Sequence, residues 1–451
     1  MENLRLLEKY GLFDARVPRY TSYPPANHFS PDVGGQNQRM WIAAIPEGQD
    51  ISVYIHIPFC ARLCWFCACR TQGTKTLAPV ENYVQSLIVE LAQLRDTLPA
   101  NVGMSRLHLG GGTPTILPAD IMARLLTAVF GTFDPSSDFE FSVEIDPTEA
   151  DESVLQTLVD FGMNRASIGV QDFAPAVQNA IGRIQTFEQT RNVVTWLRGA
   201  KVRSLNVDLL YGLPLQTSQT FATTIRQVMA LYPDRLAIYG YAHVPWMSKR
   251  QVMINADDLP DPVTRLQLSE QAKTAFVEKG FLPIGIDHFA RPTDSLAIAA
   301  RAGKLRRNFQ GYTDDPSGTL IGLGASAISR FAQGYVQNAV STSAYQGRIG
   351  VVGLAGAKGF ALQSQDLLVA TMIEDLMCQF QLDISGLNEN FPAHADLIAT
   401  CINKLTRRYP EVLSVQADLL ILHPDAHPLV RVIAHDIDSF RSELQAYSAA
   451  V

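Results

Sequence analysis

Four of the six cysteines lie within ten residues, in the segment HIPFCARLCWFCACR. Cys60, Cys64 and Cys67 have the spacing C-x3-C-x2-C, and Cys69 follows two residues later. Three thiolates at this spacing can hold an iron–sulfur cluster and leave one iron without a protein ligand, whereas clusters that only carry electrons are usually held by four cysteines. An iron with a free position can bind and reduce a small molecule. The spacing therefore predicts a redox-active cluster with an open iron.

Other interpretations of these cysteines are weaker. A zinc module would need a second ligand pair further along, and none follows at the usual distance. Disulfides are not expected in a chain of this size without a secretory signal. A purely structural cluster stays an alternative, although it would need a fourth ligand. The C-x-C turn directs Cys69 away from the other three, so it is either a bystander or a residue of the site, whereas Cys378 and Cys401 lie alone in apolar helical stretches and are predicted core residues.

Composition limits the class of protein. A chain of 451 residues with 47% apolar residues predicts one large domain and a smaller one. The net charge of −7 argues against nucleic acid as the main ligand. No apolar run reaches the roughly 20 residues that span a bilayer, and the N-terminus has neither signal-peptide nor lipidation character. We therefore expect a cytoplasmic protein with no membrane contact. Because no heptad repeat or obvious dimer face appears, we also expect a monomer.

Short β-branched runs alternate with longer amphipathic stretches from Ile51 onward. The predicted strands are Ser52–Ile57, Arg106–Leu109, Asp138–Ile145, Arg165–Ile168, Arg203–Leu209 and Leu236–Tyr241. The predicted helices are Pro79–Thr97, Ala119–Phe130, Asp151–Phe161, Phe187–Gly199, Ser218–Tyr232 and Pro262–Lys279. Repeated βα units predict a parallel sheet with helices outside it. Six of them predict an α/β fold with a partial (β/α)6 TIM-like barrel.

Three regions are expected along the chain. Residues 1–50 form an N-terminal arm, residues 51–362 the partial barrel with an extension, and residues 363–451 a small, mainly helical, winged-helix-like domain. The prolines and aromatics of Pro18–Phe29 predict an extended segment that wraps a surface. In the last region the predicted elements are the helices Leu367–Phe380, Ala395–Arg407 and Leu429–Tyr447, and a hairpin of Val412–Val415 with Leu419–Leu422.

One predicted strand has a polar face. In Asp138–Asp146, Glu140, Ser142, Glu144 and Asp146 alternate with apolar residues. A sheet between two layers of helices should be apolar on both faces, so a polar inward face indicates a lumen that holds a polar ligand. The alternative is an edge strand with one solvated face.

Residues able to do chemistry recur where the strands end, which in βα barrels is the edge that holds the active site. GGGTPT (Gly110–Thr115) removes side-chain bulk and would let the backbone present its polar groups to a ligand, although a tight strand-to-helix turn would use the same residues. Glu144 is suited to accept a hydrogen bond from a ribose hydroxyl or an ammonium group. Asp208 and Arg183 could add polar contacts, or could be ordinary solvated or ion-paired residues.

The cysteine motif and GGGTPT together resemble the radical S-adenosylmethionine superfamily. A longer set of motifs, from Pro18 to about Ser329, is similar to one family within it, the oxygen-independent coproporphyrinogen III oxidases or dehydrogenases. These motifs are PRYTSYP, YIHIPFC, LHLGGGTPT, VEIDP, SIGVQDF, DLLYGLP, YAHVP, IDHFARP and NFQGYT.

The resemblance implies a chemistry. Cys60, Cys64 and Cys67 would hold a 4Fe–4S cluster whose fourth iron binds S-adenosylmethionine. An electron, from a donor such as a flavodoxin or ferredoxin, would release a 5′-deoxyadenosyl radical that takes a hydrogen from a propionate of coproporphyrinogen III. Loss of carbon dioxide and one electron leaves a vinyl group, and two rounds give protoporphyrinogen IX, a step of haem biosynthesis.

The resemblance also implies residue roles. The active site of the family can hold a second S-adenosylmethionine. Arg19, Tyr20 and Gln310 are candidates for closing the site over the tetrapyrrole, and Cys69 is a further substrate-site candidate. The cofactor contacts would be Tyr54, Phe66, Gly111, Gly112, Thr113, Glu144, Gln171, Arg183, Asp208, Ala242 and Ile328.

Three other functions compete with this hypothesis. A related haem chaperone keeps the cluster motif but generally lacks the PRYTSYP arm and Cys69, both of which are present here. A haem-utilisation methyltransferase of the same superfamily shares much of the core and is excluded less firmly. A cluster-based redox or iron sensor with a winged-helix DNA-binding tail is disfavoured by the acidic charge and by the full set of strand-end residues.

Overall fold

The computed structural model describes residues 2–440, 447 and 450. The N-terminal segment contains α1 (Glu2–Lys9) and α2 (Gly35–Ala43). The alternating part that follows consists of β1 (Asp50–Ile57), β2 (Phe59–Cys60), β3 (Gln72–Gly73), α3 (Ala78–Arg95), β4 (Gly103–Gly111), α4 (Ala119–Phe130), β5 (Asp134–Ile145), α5 (Glu152–Asp160), β6 (Arg165–Gln171), α6 (Pro175–Ala180), α7 (Phe187–Gly199), β7 (Ser204–Tyr211), α8 (Ser218–Met229) and β8 (Arg235–Gly240).

The second half of the chain extends this unit and then forms a separate core. The extension consists of α9 (Pro262–Glu278), β9 (Leu282–Ile284), β10 (His288–Ala290), α10 (Ser295–Arg301), β11 (Arg306–Asn308), β12 (Gly311–Thr313), β13 (Leu320–Leu323), β14 (Ile328–Phe331), β15 (Gly334–Asn338), α11 (Thr342–Val352) and β16 (Gly356–Ala361). The last elements are α12 (Ser364–Gln379), β17 (Gln381–Asp383), α13 (Ile384–Asn390), α14 (Ala395–Arg408), β18 (Leu413–Gln416), β19 (Leu419–Leu422) and α15 (Val430–Ile437).

Within the described residues, twelve strands form the main sheet in the order β16-β15-β14-β13-β1-β4-β5-β6-β7-β8-β10-β9. The strands from β1 to β8 in this order pair in parallel, each followed by a helix, so the predicted partial (β/α)6 barrel is confirmed. The parallel pairing of β13 with β1 was not predicted, because a four-residue run between glycines carries too little pattern.

Local sequence explains where the helices begin. Thr186 caps α7: its hydroxyl accepts the Gln189 N–H at 3.1 Å, and the Gln189 side chain accepts the Thr186 N–H at 2.9 Å. The helices then bury one apolar face against the outward side chains of the strands; Leu125 and Val129 of α4 are fully buried in this core. The bounds predicted for α4 and α7 agree with the structure, and the other predicted barrel elements differ at their ends by a few residues.

The C-terminal elements form a second hydrophobic core. They run helix, strand, helix, helix, strand, strand, helix, and their three strands pair in the order β17-β19-β18. The predicted helix Leu429–Tyr447 is wrong over Asp438–Phe440, because the backbone becomes extended at Asp438 (φ −66°, ψ 125°). Residues 441–446 of that prediction lie outside the described residues.

The N-terminal segment is more than one extended arm. Leu7 and Leu12, in and after α1, pack into the C-terminal core, whereas Trp41 and Ile42 of α2 pack into the barrel core. Between them, Pro18–Phe29 crosses from one core to the other with a single short 3-10 turn. The domain boundaries at residues 50 and 362 stay predictions. Among the described residues no helix is long and apolar enough to span a bilayer.

A buried carboxylate joins the barrel to its extension. Glu90 of α3 is fully buried and accepts hydrogen bonds from the Gly324 N–H (2.9 Å), the Asn338 amide (2.9 Å) and the Tyr345 hydroxyl (2.7 Å). Burial raises the pKa of Glu90 to about 7 against the opposing effect of these donors.

We expect Glu90→Leu to lower stability by about 3 kcal/mol, because it leaves buried donors without an acceptor, and Tyr345→Phe by about 1 kcal/mol, because it removes one donor only. Anaerobic thermal unfolding of the two variants beside the parent measures both effects. Equal melting temperatures for the two variants would contradict this account of the network.

Candidate active site

A cavity of about 540 Å³ lies inside the parallel part of the sheet. Strand-end residues and the loop that carries the clustered cysteines form its walls. Fifteen of the eighteen predicted site residues line it: Arg19, Cys60, Cys64, Phe66, Cys67, Cys69, Gly111, Gly112, Thr113, Glu144, Gln171, Arg183, Asp208, Ala242 and Gln310.

Three predicted site residues do not line the cavity. Tyr54 lies behind it on β1, where its ring stacks on His108 and its hydroxyl bonds to His56 Nδ1 at 2.9 Å. Ile328 lies on β14 outside the lining. Tyr20 is turned into the C-terminal core, with its hydroxyl donating to Asp438 at 2.9 Å, although its neighbour Arg19 faces the cavity.

The cysteine loop is held from both sides. On one side the Arg183 guanidinium donates to Cys64 Sγ at 3.6 Å and pairs with Asp146 at 3.0 Å. The sequence left open whether Arg183 is a residue of the site or an ordinary ion-paired residue. The structure shows that it is ion-paired and that it also contacts a candidate iron ligand. A cation here offsets the negative charge that thiolate ligands bring into a buried site.

The other side of the loop is held by a segment that follows β8. Gln251 is fully buried, and its amide donates to the carbonyls of Phe66 (2.8 Å) and Ala242 (3.0 Å). Ser248 donates to the Cys67 carbonyl at 3.0 Å. Sequence analysis missed this segment, because a polar stretch after a strand gives no signal that distinguishes a clamp from a surface loop.

Cys60, Cys67 and Cys69 differ in how readily they ionise. A hydrogen bond from Cys69 lowers the pKa of Cys67 to about 6, and the same contact raises the pKa of Cys69 well above its usual range. Burial raises the pKa of Cys60 to about 12. Because thiolates are the metal ligands, Cys67 is prepared to bind and Cys69 acts as a neutral donor beside it.

Glu144 is the central carboxylate of the cavity. It accepts the Gly111 N–H at 3.0 Å and lies 3.3 Å from His108 Nε2. Burial alone would raise the pKa of Glu144, but the contact with His108 and the Gly111 N–H outweigh it, and the pKa is lowered. Glu144 is therefore ionised at neutral pH. The strand that carries it lies between β4 and β6, so the alternative of a solvated edge strand is wrong.

The glycine run packs too closely for any side chain. A Cβ at Gly112 would lie 2.4 Å from the Phe59 carbonyl oxygen, and one at Gly111 would lie 2.6 Å from the His56 ring. The N–H groups of Gly111, Gly112 and Thr113 donate to Glu144, Ile57 and Phe59 within the protein. The expectation that this run offers free backbone groups therefore does not hold for its N–H groups, since the tight turn uses them itself.

Asp208 lies on β7, two strands from Glu144, and is held differently. It accepts hydrogen bonds from Ser167 (2.9 Å) and Asn206 (2.7 Å), and burial raises its pKa. Register places Glu144, Ser167 and Asn206 beside one another on β5, β6 and β7. Polar residues at matched positions of neighbouring strands were a signal that the strand-by-strand analysis did not use.

Ion pairs lie at the opposite end of the lumen. Arg165 pairs with Glu140 at 2.7 Å, and Arg235 pairs with Asp294 at 2.6 Å. These arginines are the first residues of β6 and β8, whereas the predicted site residues lie at the carboxyl ends of the strands. At this end of the lumen, which we call the floor of the cavity, each arginine therefore lies in an ion pair with a carboxylate.

Comparison with known proteins agrees with this arrangement. Residues 54–228 match the model of the radical SAM superfamily. The chain is 49% identical over 451 residues to the oxygen-independent coproporphyrinogen III oxidase of Paracoccus denitrificans, with both chains covered completely. A relative of the same name in Escherichia coli is 39% identical over 88% of this chain and 86% of its own length.

The chain belongs to the oxygen-independent coproporphyrinogen III oxidase family. A solved structure of the coproporphyrinogen III oxidase of Escherichia coli, described as a radical SAM enzyme, superposes with a TM-score of 0.89 at 37% identity. The superposition covers 94% of this chain and 98% of that one.

The cofactors of the family are a 4Fe–4S cluster and S-adenosylmethionine, and the site fits them. Three thiols on one loop face the cavity beside a cation and an acidic wall. Among the described side chains no three of His, Cys, Asp and Glu are close enough to share one metal ion. Cys60, Cys64 and Cys67 are the residues that would hold the cluster.

Proposed function

We propose that this chain catalyses the oxygen-independent oxidative decarboxylation of two propionate side chains of coproporphyrinogen III to vinyl groups, giving protoporphyrinogen IX. The observation that carries the proposal is that the C-x3-C-x2-C loop and the strand-end residues open onto one cavity. The full-length relatives that carry the activity in their names support it. When bound, the cluster and S-adenosylmethionine supply the electron-transfer and hydrogen-abstracting chemistry.

The protein's part is to bind, orient and enclose. Glu144, ionised and fixed by two donors, accepts a hydroxyl or ammonium hydrogen bond from the cofactor. Arg183 balances the charge of the thiolates. Gln171 and Asp208 add polar contacts, and some of the predicted cofactor residues would serve a second S-adenosylmethionine. The protein and its bound substrate together must also keep water away from a reactive radical.

Turnover under anaerobic conditions tests the proposal. We expect the reconstituted protein, given S-adenosylmethionine, a chemical reductant and coproporphyrinogen III, to release carbon dioxide, methionine and 5′-deoxyadenosine and to form protoporphyrinogen IX. Without the tetrapyrrole, the yield of 5′-deoxyadenosine should fall. Haem binding without turnover would support the chaperone instead, and methyl transfer to haem would support the utilisation enzyme. Neither alternative is favoured by the names of the relatives.

The remaining partners are part of the same proposal. A flavodoxin or ferredoxin would supply the electron, because a low-potential cluster needs a one-electron donor of comparable potential. We place the reaction in the cytoplasm, where thiols stay reduced, and assign the protein as a monomer without a role for nucleic acid or membranes.

A further inference from the structure

A second cavity of about 600 Å³ adjoins the first. It lies between the β8, β9 and β10 edge of the sheet, α9, and the C-terminal domain. Gly240, Tyr241, Ala242 and Arg19 line both cavities, so a molecule in the second cavity reaches the wall of the first. Its volume falls within the range of small-molecule sites, roughly 300–1,000 Å³.

The two cavities differ in charge. The first is lined by six arginines and five carboxylates, and its floor arginines are ion-paired. The second is lined by six cationic residues and only two carboxylates, Glu270 and Asp287. The six cations are Arg16, Arg19, Arg265, Lys273, Arg307 and Arg431. A cationic excess of this size in a chain of net charge −7 favours a polyanionic ligand.

Two of these arginines have hydrogen-bonding capacity to spare. Arg307 is 8% exposed, and its Nη1 makes no hydrogen bond, although its Nη2 lies 3.8 Å from Asp287. Arg265 donates from Nη2 to the Tyr241 carbonyl at 2.6 Å, and its Nε is buried without a partner. Buried donors are normally satisfied, so unpaired guanidinium N–H groups in a cavity are available to the acceptors of a ligand. Arg62, Arg165 and Arg183 give the first cavity such donors too, so the excess of cations is what distinguishes the second.

The close spacing of the arginines also indicates that the second cavity binds an anion. Burial and the nearby Arg19 and Arg307 lower the pKa of Arg431 to about 9, and burial and Arg19 lower the pKa of Arg265. An arginine whose pKa is lowered by neighbouring cations gains stability when an anion binds beside it. The rest of the wall is mixed: apolar side chains such as Ile238, Ile284 and Phe289 lie beside polar ones such as Ser269 and Gln379.

We propose that this arginine-lined cavity binds the propionate-bearing tetrapyrrole, with Arg265 and Arg307 as carboxylate ligands and Lys273 and Arg16 at its edge. The inference rests on the proposed substrate. Coproporphyrinogen III is an apolar macrocycle with four carboxylates, which matches a wall that combines apolar side chains with an excess of cations. Guanidinium groups pair with carboxylates in a two-pronged geometry that an ammonium cannot provide. The wall shared at Gly240–Ala242 then presents an edge of the substrate to the cofactor cavity.

Binding without turnover tests this assignment. Equilibrium dialysis measures the affinity of the cluster-loaded enzyme, without S-adenosylmethionine, for coproporphyrinogen III and for its tetramethyl ester. We expect Arg265→Gln to weaken binding of the acid about 10- to 100-fold, as loss of a charge-assisted hydrogen bond would, and to reduce the preference for acid over ester. Arg265→Lys should recover part of the affinity.

Matched variants keep the test decisive. Lys273→Gln, a half-exposed change that carries little risk to folding, should weaken binding several-fold. Arg348→Gln, which loses one hydrogen bond to the Gly356 carbonyl outside both cavities, should bind as the parent does. Cluster absorbance and S-adenosylmethionine affinity should stay unchanged in all of them.

Two outcomes are distinguishable. Parent enzyme that turns over coproporphyrinogen III while the Arg265 and Lys273 variants bind it normally overturns this assignment and leaves the proposed function standing. Parent enzyme that neither binds nor turns over coproporphyrinogen III overturns the proposed function and, with it, this inference.

Discussion

Cys64→Ser is expected to abolish the iron–sulfur cluster, whereas Cys69→Ser is expected to keep it. Cys64 is buried on the loop wall against Arg183, and a hydroxyl in its place is a much weaker iron ligand than a thiolate. Cys69 is a hydrogen-bond donor to Cys67 with a pKa that keeps it protonated. A serine hydroxyl retains that donor role, so the three ligands remain.

Iron and sulfide content, together with the visible absorbance of anaerobically reconstituted protein, measure the effect. Cys401→Ser serves as a control for the loss of a thiol, because Cys401 lies in the C-terminal core away from the loop. We expect near-complete loss for Cys64→Ser and at least most of the parent's iron for the other two. Equal loss at Cys69 would assign it as an iron ligand and refute the three-cysteine arrangement.

Glu144→Gln is expected to weaken S-adenosylmethionine binding about 10- to 100-fold and to lower turnover at least as much, with the cluster intact. The charge of Glu144 strengthens the hydrogen bonds that it accepts, and the loss of one charge-assisted bond is worth about 1.5–3 kcal/mol. In one of its two orientations, the glutamine amide also places its NH₂ group against the Gly111 N–H, so that two donors face each other without an acceptor. Both effects act on binding rather than on the iron ligands.

A matched control lies four residues earlier on the same face of the strand. Glu140 also lines the cavity, but it is paired with Arg165 at the floor. Glu140→Gln should therefore leave the affinity for S-adenosylmethionine near that of the parent. It should lower the stability of the fold, because the buried Arg165 loses its charged partner. Equilibrium binding to the cluster-loaded protein compares the two variants, and equal losses would remove Glu144 from the cofactor contacts.

The pH dependence of the cofactor contact follows from the lowered pKa of Glu144. Because its folded pKa lies below the ordinary value, the stabilising contribution of the charged group is present at neutral pH and is lost as the pH falls through that lowered pKa. Binding that depends on the charge of Glu144 should stay constant from pH 8 to about pH 5, and Glu144→Gln should show no acid limb from this group.

The barrel could be predicted because the hydrophobic pattern has a different period in its strands and its helices, and the two kinds of element alternate regularly. The inward face of β5 was predictable for the same reason: a two-residue alternation assigns Glu140, Ser142, Glu144 and Asp146 to one side, and all four line the cavity. Strand-end positions located most of the remaining lining, since parallel strands end at one edge of the sheet.

What the sequence could not predict depends on contacts between distant segments. The direction of Tyr20 is set by Asp438, more than four hundred residues later, and no local pattern records that partner. The clamp at Gln251 likewise becomes visible only when the segment after β8 meets the cysteine loop. The arginines of the second cavity come together only when α9, the sheet edge and the C-terminal domain meet. The local hydrophobic pattern carries no information about contacts between segments that are far apart in the sequence.

The way the arm is held has a consequence for the order of assembly. The carbonyls of Val17 and Pro18 accept hydrogen bonds from Arg431, and Tyr20 bonds to Asp438. In a chain synthesised from its amino end, these contacts with Arg431 and Asp438 form only after nearly the whole polypeptide has left the ribosome, whereas the cysteine loop and its strands emerge much earlier. The residues predicted to hold the cluster are therefore synthesised well before the C-terminal partners of the arm.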